Sequence, residues 1–284
     1  MIYALITVYE PQNSIWENLR AIARQADRVF LCDNSAGFQL PPLPENVRHL
    51  PFGQNLGLSA AFNRVLTDPA IPWQDDDFVL FFDQDSRIEA DHIPKLVDVF
   101  TGLKAAGHPV GCLGPLIYNT SHGGIEPPAG ASALAPGVSK TRHVITSSML
   151  CTYGNLRAVD FWNEDVFLDI ADWDLCWRFS AAGFLCCVTD LVILDHDLGI
   201  GEKKIGPMRL RVGHPYREYY QIRDGLRLVG KAYTPFKYRL RLLCSVFVRS
   251  PLHLLFLDNR MLRLRYICMG LRDFFRGRKG AIPN

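Results

Sequence analysis

Apolar residues run in short unbroken blocks through the first third of the chain, and the blocks stop at turn residues or carboxylates. "IYALITV" (2–8), "RVFLCD" (28–33) and "DFVLFFD" (77–83) are such blocks. Runs of this length, continuous rather than alternating, predict strands buried on both faces. "NVRHLP" predicts a shorter strand. Between the blocks the apolar period changes. Ile15, Leu19 and Ile22 share one helical face within residues 14–26, a short helix is expected over 58–66, and Ile93, Leu96, Val97, Phe100 and Leu103 follow Asp91, a residue type that caps helices. Strands alternating with helices predict an α/β, Rossmann-like fold whose mainly parallel sheet carries helices on both faces. Ligands of such sheets lie beyond the carboxyl ends of the strands, where Asp33 and Asp83 both fall.

The pattern then loosens. Residues 118–143, "YNTSHGGIEPPAGASALAPGVSKTRH", show no period and are expected to form a long loop, a cover for a site. "VITSSMLCTY" predicts extended structure, "ADWDLCWRFSAAGF" a helix ending at Gly183, and "FLCCVTDLVILDH" a strand. From 235 to 279, aliphatics and aromatics mix with Arg, and Pro251 is expected to divide the stretch into two helices.

Composition changes this picture only at the end of the chain. With 284 residues, 48% hydrophobic and 21% charged, the sequence is an ordinary globular one. Its eight cysteines show no C-x-x-C pair and no metal-type spacing with His, which predicts small core residues in a reducing compartment. No basic run precedes the apolar block of "MIYALITVYEP", so it is expected to be a buried strand and not a signal peptide. The net charge is +2, yet residues 235–284 hold eleven Lys and Arg against two acids, Asp258 and Asp273. The rest is therefore net acidic. No apolar run in this tail reaches the roughly 20 residues that span a bilayer. A basic amphipathic surface lying on anionic lipid is expected, with packing on the remaining chain or on a second subunit as the alternative. Nucleic-acid binding is not expected, because no recognition module accompanies the charge.

Several short stretches carry candidate chemistry. Asp83 and Asp85, two residues apart beyond a buried strand, offer hard oxygen ligands to Mg²⁺ or Mn²⁺ together with substrate phosphates, although a capped turn has the same pattern. In "DNSAG", Asp33 can accept hydrogen bonds from a base or ribose; in "GQNLGLSAAFNRVL", Asn55 and Gly57 let backbone approach a ligand. Each of these alone is equally a turn or a cap. The chain has neither GxGxxG nor GxxxxGK[ST], which weakens dinucleotide and P-loop readings. Asp172, near the start of a helix, is held ionised by the helix dipole and is able to take a proton from an alcohol; spacing alone favours a simple cap. Arg178 is expected to pair with a nearby acid.

Taken in order, "ITVYEP", "DNS", "NLGLSAAFN", "FFDQDS", "FLDIADWDLCWRFSAAGF", "DHDLG" and "YYQIRD" resemble the inverting family 2 glycosyltransferases of the GT-A fold, above all their rhamnosyltransferase branch, over roughly residues 3 to 225. The resemblance implies a GT-A catalytic domain over 1–232, with a nucleotide-sugar half of about 1–117 and an acceptor half of about 118–232, followed by a basic helical tail over 233–284. It implies that Thr7, Tyr9 and Glu10 line the nucleotide pocket, that Asp33 contacts the base, and that Asn55, Gly57 and Asn63 border the nucleotide-sugar. Asp85 is then the direct ligand of Mg²⁺ or Mn²⁺, Asp83 its neighbour nearer the ribose, and Gln84 lies between them with no contact assigned. Asp172 is the catalytic base, His196 stands near the metal and diphosphate, and Arg223 holds the diphosphate.

The sequence departs from the pattern in three places. Ala171 precedes Asp172 where many relatives have Glu, Asp224 follows Arg223 where the branch commonly has Asn, and the Gln-x-x-Arg-Trp motif of processive relatives is missing. The last departure implies transfer of one sugar at a time. The expected activity is a metal-dependent hexosyl transfer, with inversion, of L-rhamnose from dTDP-L-rhamnose to a hydroxyl of a lipid-linked saccharide in bacterial surface polysaccharide synthesis. That places the protein in the cytoplasm, peripheral on the inner membrane, with a homodimer as a further expectation. A UDP-sugar donor, or a binding or scaffold protein that has lost catalysis, are the alternatives.

Overall fold

The apolar blocks fold as the sequence pattern predicts, and their side chains divide between two cores. The computed structural model describes residues 1–12, 15–37, 40–120, 123–128, 130–196, 201–205 and 208–283. Strand β1 (Ile2–Val8) is followed by α1 (Ile15–Ala23), β2 (Arg28–Asp33), β3 (Val47–Pro51), α2 (Leu58–Leu66), β4 (Phe78–Asp83) and α3 (His92–Ala105). The four strands are parallel in the order β3-β2-β1-β4, and Leu5 stands opposite Phe30 on one side and Phe81 on the other. Because side chains alternate along a strand, Tyr3 and Leu5 join the core under α2, while Ala4, Ile6 and Val8 join the core under α1 and α3. The expected helix start at Ser14 lies outside the described residues. Asp91 makes no cap hydrogen bond and instead pairs with Lys95 one turn on, at 2.8 Å.

The second half adds β5 (Val110–Asn119), β6 (Gly124–Glu126), β7 (Ser132–Ala135), β8 (Val138–Thr141), β9 (Met149–Thr152), α4 (Tyr153–Ala158), α5 (Ala171–Ala181), β10 (Leu185–His196), β11 (Gly201–Ile205) and β12 (Met208–Val212). One mixed sheet results, ordered β3-β2-β1-β4-β9-β5-β10-β8-β7, with β6 on the end of β5 and β11-β12 as a separate ribbon. The 118–143 segment is thus no simple loop. Its Pro136-Gly137 pair turns a hairpin, with Gly137 at φ 70, and β8 adds to β10 antiparallel. Strands of four residues are too short to display a period, which hid them in the sequence. "VITSSMLCTY" is also shorter as a strand than expected: Thr152 accepts from the Asn155 amide and caps α4. Six cysteines are buried and all eight are free thiols, with the sulfurs of Cys112, Cys176 and Cys186 meeting in the core.

The tail does not break at Pro251. After α6 (Arg217–Val229) come α7 (Phe236–Cys244), a π turn (Ser245–Arg249), α8 (Ser250–Phe256) and α9 (Arg260–Phe275). The wider π turn accommodates the proline ring and its missing N–H, and Ser250 donates its hydroxyl to the Ser245 carbonyl at 3.0 Å. The break falls instead at Asn259, whose φ of 58 few side chains tolerate. The tail packs on the body: Tyr238 and Leu242 enter the core beside Trp177, and Gly270 on α9 lies so close to α6 that a Cβ there would meet the Tyr219 carbonyl at 2.8 Å. Among the described residues, no helix is long and apolar enough to cross a membrane.

Candidate active site

The carboxyl ends of β1 and β4 open into a cavity of about 1150 Å³. Thr7, Tyr9 and Glu10 reach it from β1 and the turn beyond, Asp83 and Gln84 from the end of β4, and Asn55 and Gly57 from the loop before α2. Seven residues expected at a nucleotide-sugar site therefore share one wall.

Local hydrogen bonds explain how these loops are held. The Gln84 side-chain oxygen accepts from the Tyr9 amide at 2.9 Å, so the residue left without a contact in the sequence ties the two strand ends together. Glu10, at φ 45, donates its amide to the Ser35 hydroxyl. Asn34 brackets the next loop, accepting from Leu56 N–H and donating to the Gly57 carbonyl. Gly57 has φ 83, and a Cβ there would lie 2.6 Å from the ring and from the carbonyl oxygen of Phe167. Only glycine satisfies both the backbone and the close approach.

Asp83 and Asp85 present carboxylate oxygens past β4, half-buried and exposed respectively, and the Ser147 hydroxyl donates to Asp83 at 2.5 Å. Among the described residues, no third carboxylate, His or Cys completes a cluster with them. This donor set fits an open Mg²⁺ or Mn²⁺ site in which phosphates and water supply the other ligands. His196 ends β10, and its side chain lies outside the described residues, as do residues 197–199 of "DHDLG".

Asp172 lies in the first turn of α5 with one carboxylate oxygen on the Trp173 amide at 2.8 Å. Burial, aided by the negative charges of Asp83 and Asp169, outweighs the helix N-terminus expected to hold it ionised and pushes its pKa up to about 7. A carboxyl poised there is matched to accepting an alcohol proton near neutral pH. Asp169 makes a forked pair with Arg217. Arg178 pairs with Asp174 at 2.8 Å, away from this cluster's chemistry.

Three expected site residues serve as braces instead. Asp33 is 2% exposed, with its oxygens on the Ser35 amide and on His49 Nε2 at 2.8 and 2.9 Å, so it offers no free face to a base. Asn63 locks the 162–164 loop to α2, donating to the Trp162 carbonyl and Glu164 and accepting from Trp162 N–H. Arg223 has no exposed surface: its guanidinium pairs with Asp224, reaches the Tyr219 hydroxyl and donates to the Gly280 carbonyl. None of the three lines the cavity, and neither do Asp85, two residues beyond the lining Asp83, and Asp172, which feels the charge of Asp83.

No family model matches the chain. Along nearly its full length it is similar to dTDP-rhamnosyl transferase RfbF of Shigella flexneri, at 23% identity over 299 residues, covering 99% of this chain and 97% of that one. It also superposes over 97% of its length on GalNAc-T7, crystallised with UDP, GalNAc and Mn²⁺ (TM-score 0.57, 10% identity), and on S. aureus TarS (TM-score 0.59, 14% identity). Both are GT-A glycosyltransferases. The chain has a GT-A fold. It spans 56% and 48% of the length of those two proteins.

The GT-A cavity has a second wall that the sequence motifs did not identify. Tyr216 and Tyr220 come from the start of α6 and its approach, Arg265, Tyr266 and Met269 from α9, and Arg278 and Ile282 from the segment after it. The double tyrosine of "YYQIRD" was the available signal for Tyr220. The tail residues had none, because a basic amphipathic pattern does not reveal which body its helices pack on.

Proposed function

We propose that the chain is an inverting glycosyltransferase that moves L-rhamnose from dTDP-L-rhamnose to a saccharide hydroxyl. The observation that carries this reading is the cavity at the ends of β1 and β4, lined by Asp83 with Asp172 in electrostatic reach of it, in a GT-A fold. Rhamnose as the sugar is supported by the full-length similarity to RfbF. Glycosyl transfer itself is supported by that relative and by the fold.

In the proposed mechanism the nucleotide lies across the turns after β1 and β4, oriented by backbone that Gln84 and Asn34 hold in place. Asp172 removes the acceptor hydroxyl proton as that oxygen bonds to the sugar C1 and the bond from C1 to the diphosphate breaks. Attack from the opposite face inverts the anomeric centre. A Mg²⁺ or Mn²⁺ held by Asp85 and Asp83 would supply Lewis-acid stabilisation of the leaving diphosphate. The acceptor is proposed to be lipid-linked, on the cytoplasmic face of a membrane. Support comes from Phe236, Phe247, Met261 and Phe275, which are 82, 71, 78 and 81% exposed on helices rich in Arg.

The test is release of nucleoside diphosphate from a panel of dTDP-, UDP- and GDP-sugars, with Mg²⁺ or Mn²⁺ and a membrane lipid extract. Acceptor-dependent release from dTDP-rhamnose alone is the expected result. Release from a UDP-sugar alone overturns the donor assignment, and thermal stabilisation by donors without any turnover overturns the enzyme reading.

A further inference from the structure

Residues 278–282 form a short strap without helical structure that is fastened to the body at four points. The Arg227 guanidinium donates to the Arg278 carbonyl, Lys279 pairs with Asp165, Arg223 donates to the Gly280 carbonyl at 2.6 Å, and Ile282 N–H donates to the Tyr220 hydroxyl at 3.1 Å. The helix before it is equally fixed. Gly270 lies on the Tyr219 backbone, the Tyr219 hydroxyl donates to Asp273 at 2.9 Å, and Arg263 pairs with the buried Glu218. These contacts set Arg265 and Arg278 on the cavity wall that faces the strand ends.

The two arginines differ from the cations around them. Arg217, Arg223, Arg227, Arg263 and Lys279 each have a carboxylate partner. Among the described residues, the side chains of Arg265 and Arg278 have neither a hydrogen bond nor an ion pair, and both are exposed. Beside them the cavity is aromatic, with Phe167 and Tyr220 stacked at 4.6 Å. A guanidinium presents a planar fork of N–H donors that matches phosphate oxygens. Apolar and aromatic surface next to two unpaired forks suits a ligand with a flat heterocycle and a diphosphate.

We propose that the C-terminal segment is a working wall of the donor site, in which Arg265 and Arg278 grip the diphosphate and the strap roofs the bound nucleotide. Arg223, expected to touch the diphosphate, acts at one remove as a positioning residue that holds the strap carrying Arg278. The proposal rests on the nucleotide-sugar reading of the cavity, and the experiment separates the two.

Calorimetric titration of dTDP, UDP and thymidine into the full chain with Mg²⁺ is compared with Arg265→Ala, Arg278→Ala, the double variant and, as a control off the cavity, Arg276→Ala. Loss of about tenfold in nucleoside diphosphate affinity is expected for each single variant and about a hundredfold for the double, the size of one charge-assisted contact each. Thymidine affinity and Arg276→Ala should be unchanged. A folded double variant that binds dTDP and UDP as the wild type does overturns this proposal and leaves the transferase reading standing. Equal losses for thymidine and dTDP also overturn it, since they signal a distorted wall. Failure of the wild type to bind either nucleoside diphosphate overturns both.

Discussion

Arg223, wholly buried on α6, donates to the carbonyl of Gly280 at 2.6 Å and to the carboxylate of its own neighbour Asp224. One guanidinium thus joins α6 to the strap, both of which line the cavity. Arg223→Met would leave Asp224 buried without its nearest cation, at a cost on the order of 3–5 kcal/mol. Urea unfolding should report that loss, and limited trypsin digestion should cut more rapidly at Arg278 once the strap is released. Arg223→Lys should recover little, because a single ammonium cannot reach Asp224, Tyr219 and Gly280 together.

Gly57→Ala tests the contact between the loop before α2 and the loop before α5. Both the positive φ and the 2.6 Å approach of Phe167 oppose a methyl group there. A destabilisation of about 1–3 kcal/mol is expected, with weaker nucleotide binding because Asn55 and Gly57 share the same loop. Ala at Gly37, which has open space and no positive φ, should be nearly silent in the same thermal melts.

Asp172→Asn keeps shape and removes the base. Turnover should fall by about 10² to 10⁴-fold, while dTDP binding stays within about twofold, since Asp172 lies outside the cavity lining. Turnover near the wild-type rate would refute the assignment.

Stability should fall in mild acid because of His92. Its ring is 1% exposed, bonds to the Ser148 hydroxyl at 2.6 Å, and is pushed down to about 4 by burial. The unfolded chain takes up this proton below about pH 6.5, whereas the folded ring resists it until near 4. Protons therefore favour the unfolded state across that window, and the penalty approaches 3 kcal/mol on an order-of-magnitude basis. Between pH 7 and pH 5 the melting temperature of the wild type should fall relative to that of His92→Gln, a difference that isolates this ring from Asp172, whose raised pKa acts in the opposite sense.

Local pattern sufficed where a side chain's role follows from its own segment. β1, β2 and β4 could be read from their apolar runs, and the cavity residues at their ends followed from the position of ligands in parallel sheets. Gly57 belongs here too, since its loop announces itself. Long-range pairing was the obstacle elsewhere. Asp33, Asn63 and Arg223 have the residue types of a binding site, yet their partners, His49, Trp162 and Gly280, lie 16, 99 and 57 residues away. Asp224, read as a departure from a motif, is the buried counter-ion that fixes Arg223. The 132–141 hairpin and the π turn were missed because neither is long enough to carry a period.

Strand β9 has a consequence for how the chain assembles. Leu150 stands opposite Leu80 on β4 and opposite Leu113 on β5, so four residues hold the two parallel parts of the sheet together. Until Met149–Thr152 has left the ribosome, the edges of β4 and β5 have no partner strand between them. Unpaired edges are sticky, and pairings over long sequence separations form slowly. The vulnerable moment in the life of this protein is therefore set by synthesis: a nascent chain stalled before residue 149 would carry the open edge of β4 and, with β10 also unmade, a β5 lacking both β9 and β10, and would depend on chaperones to keep them apart.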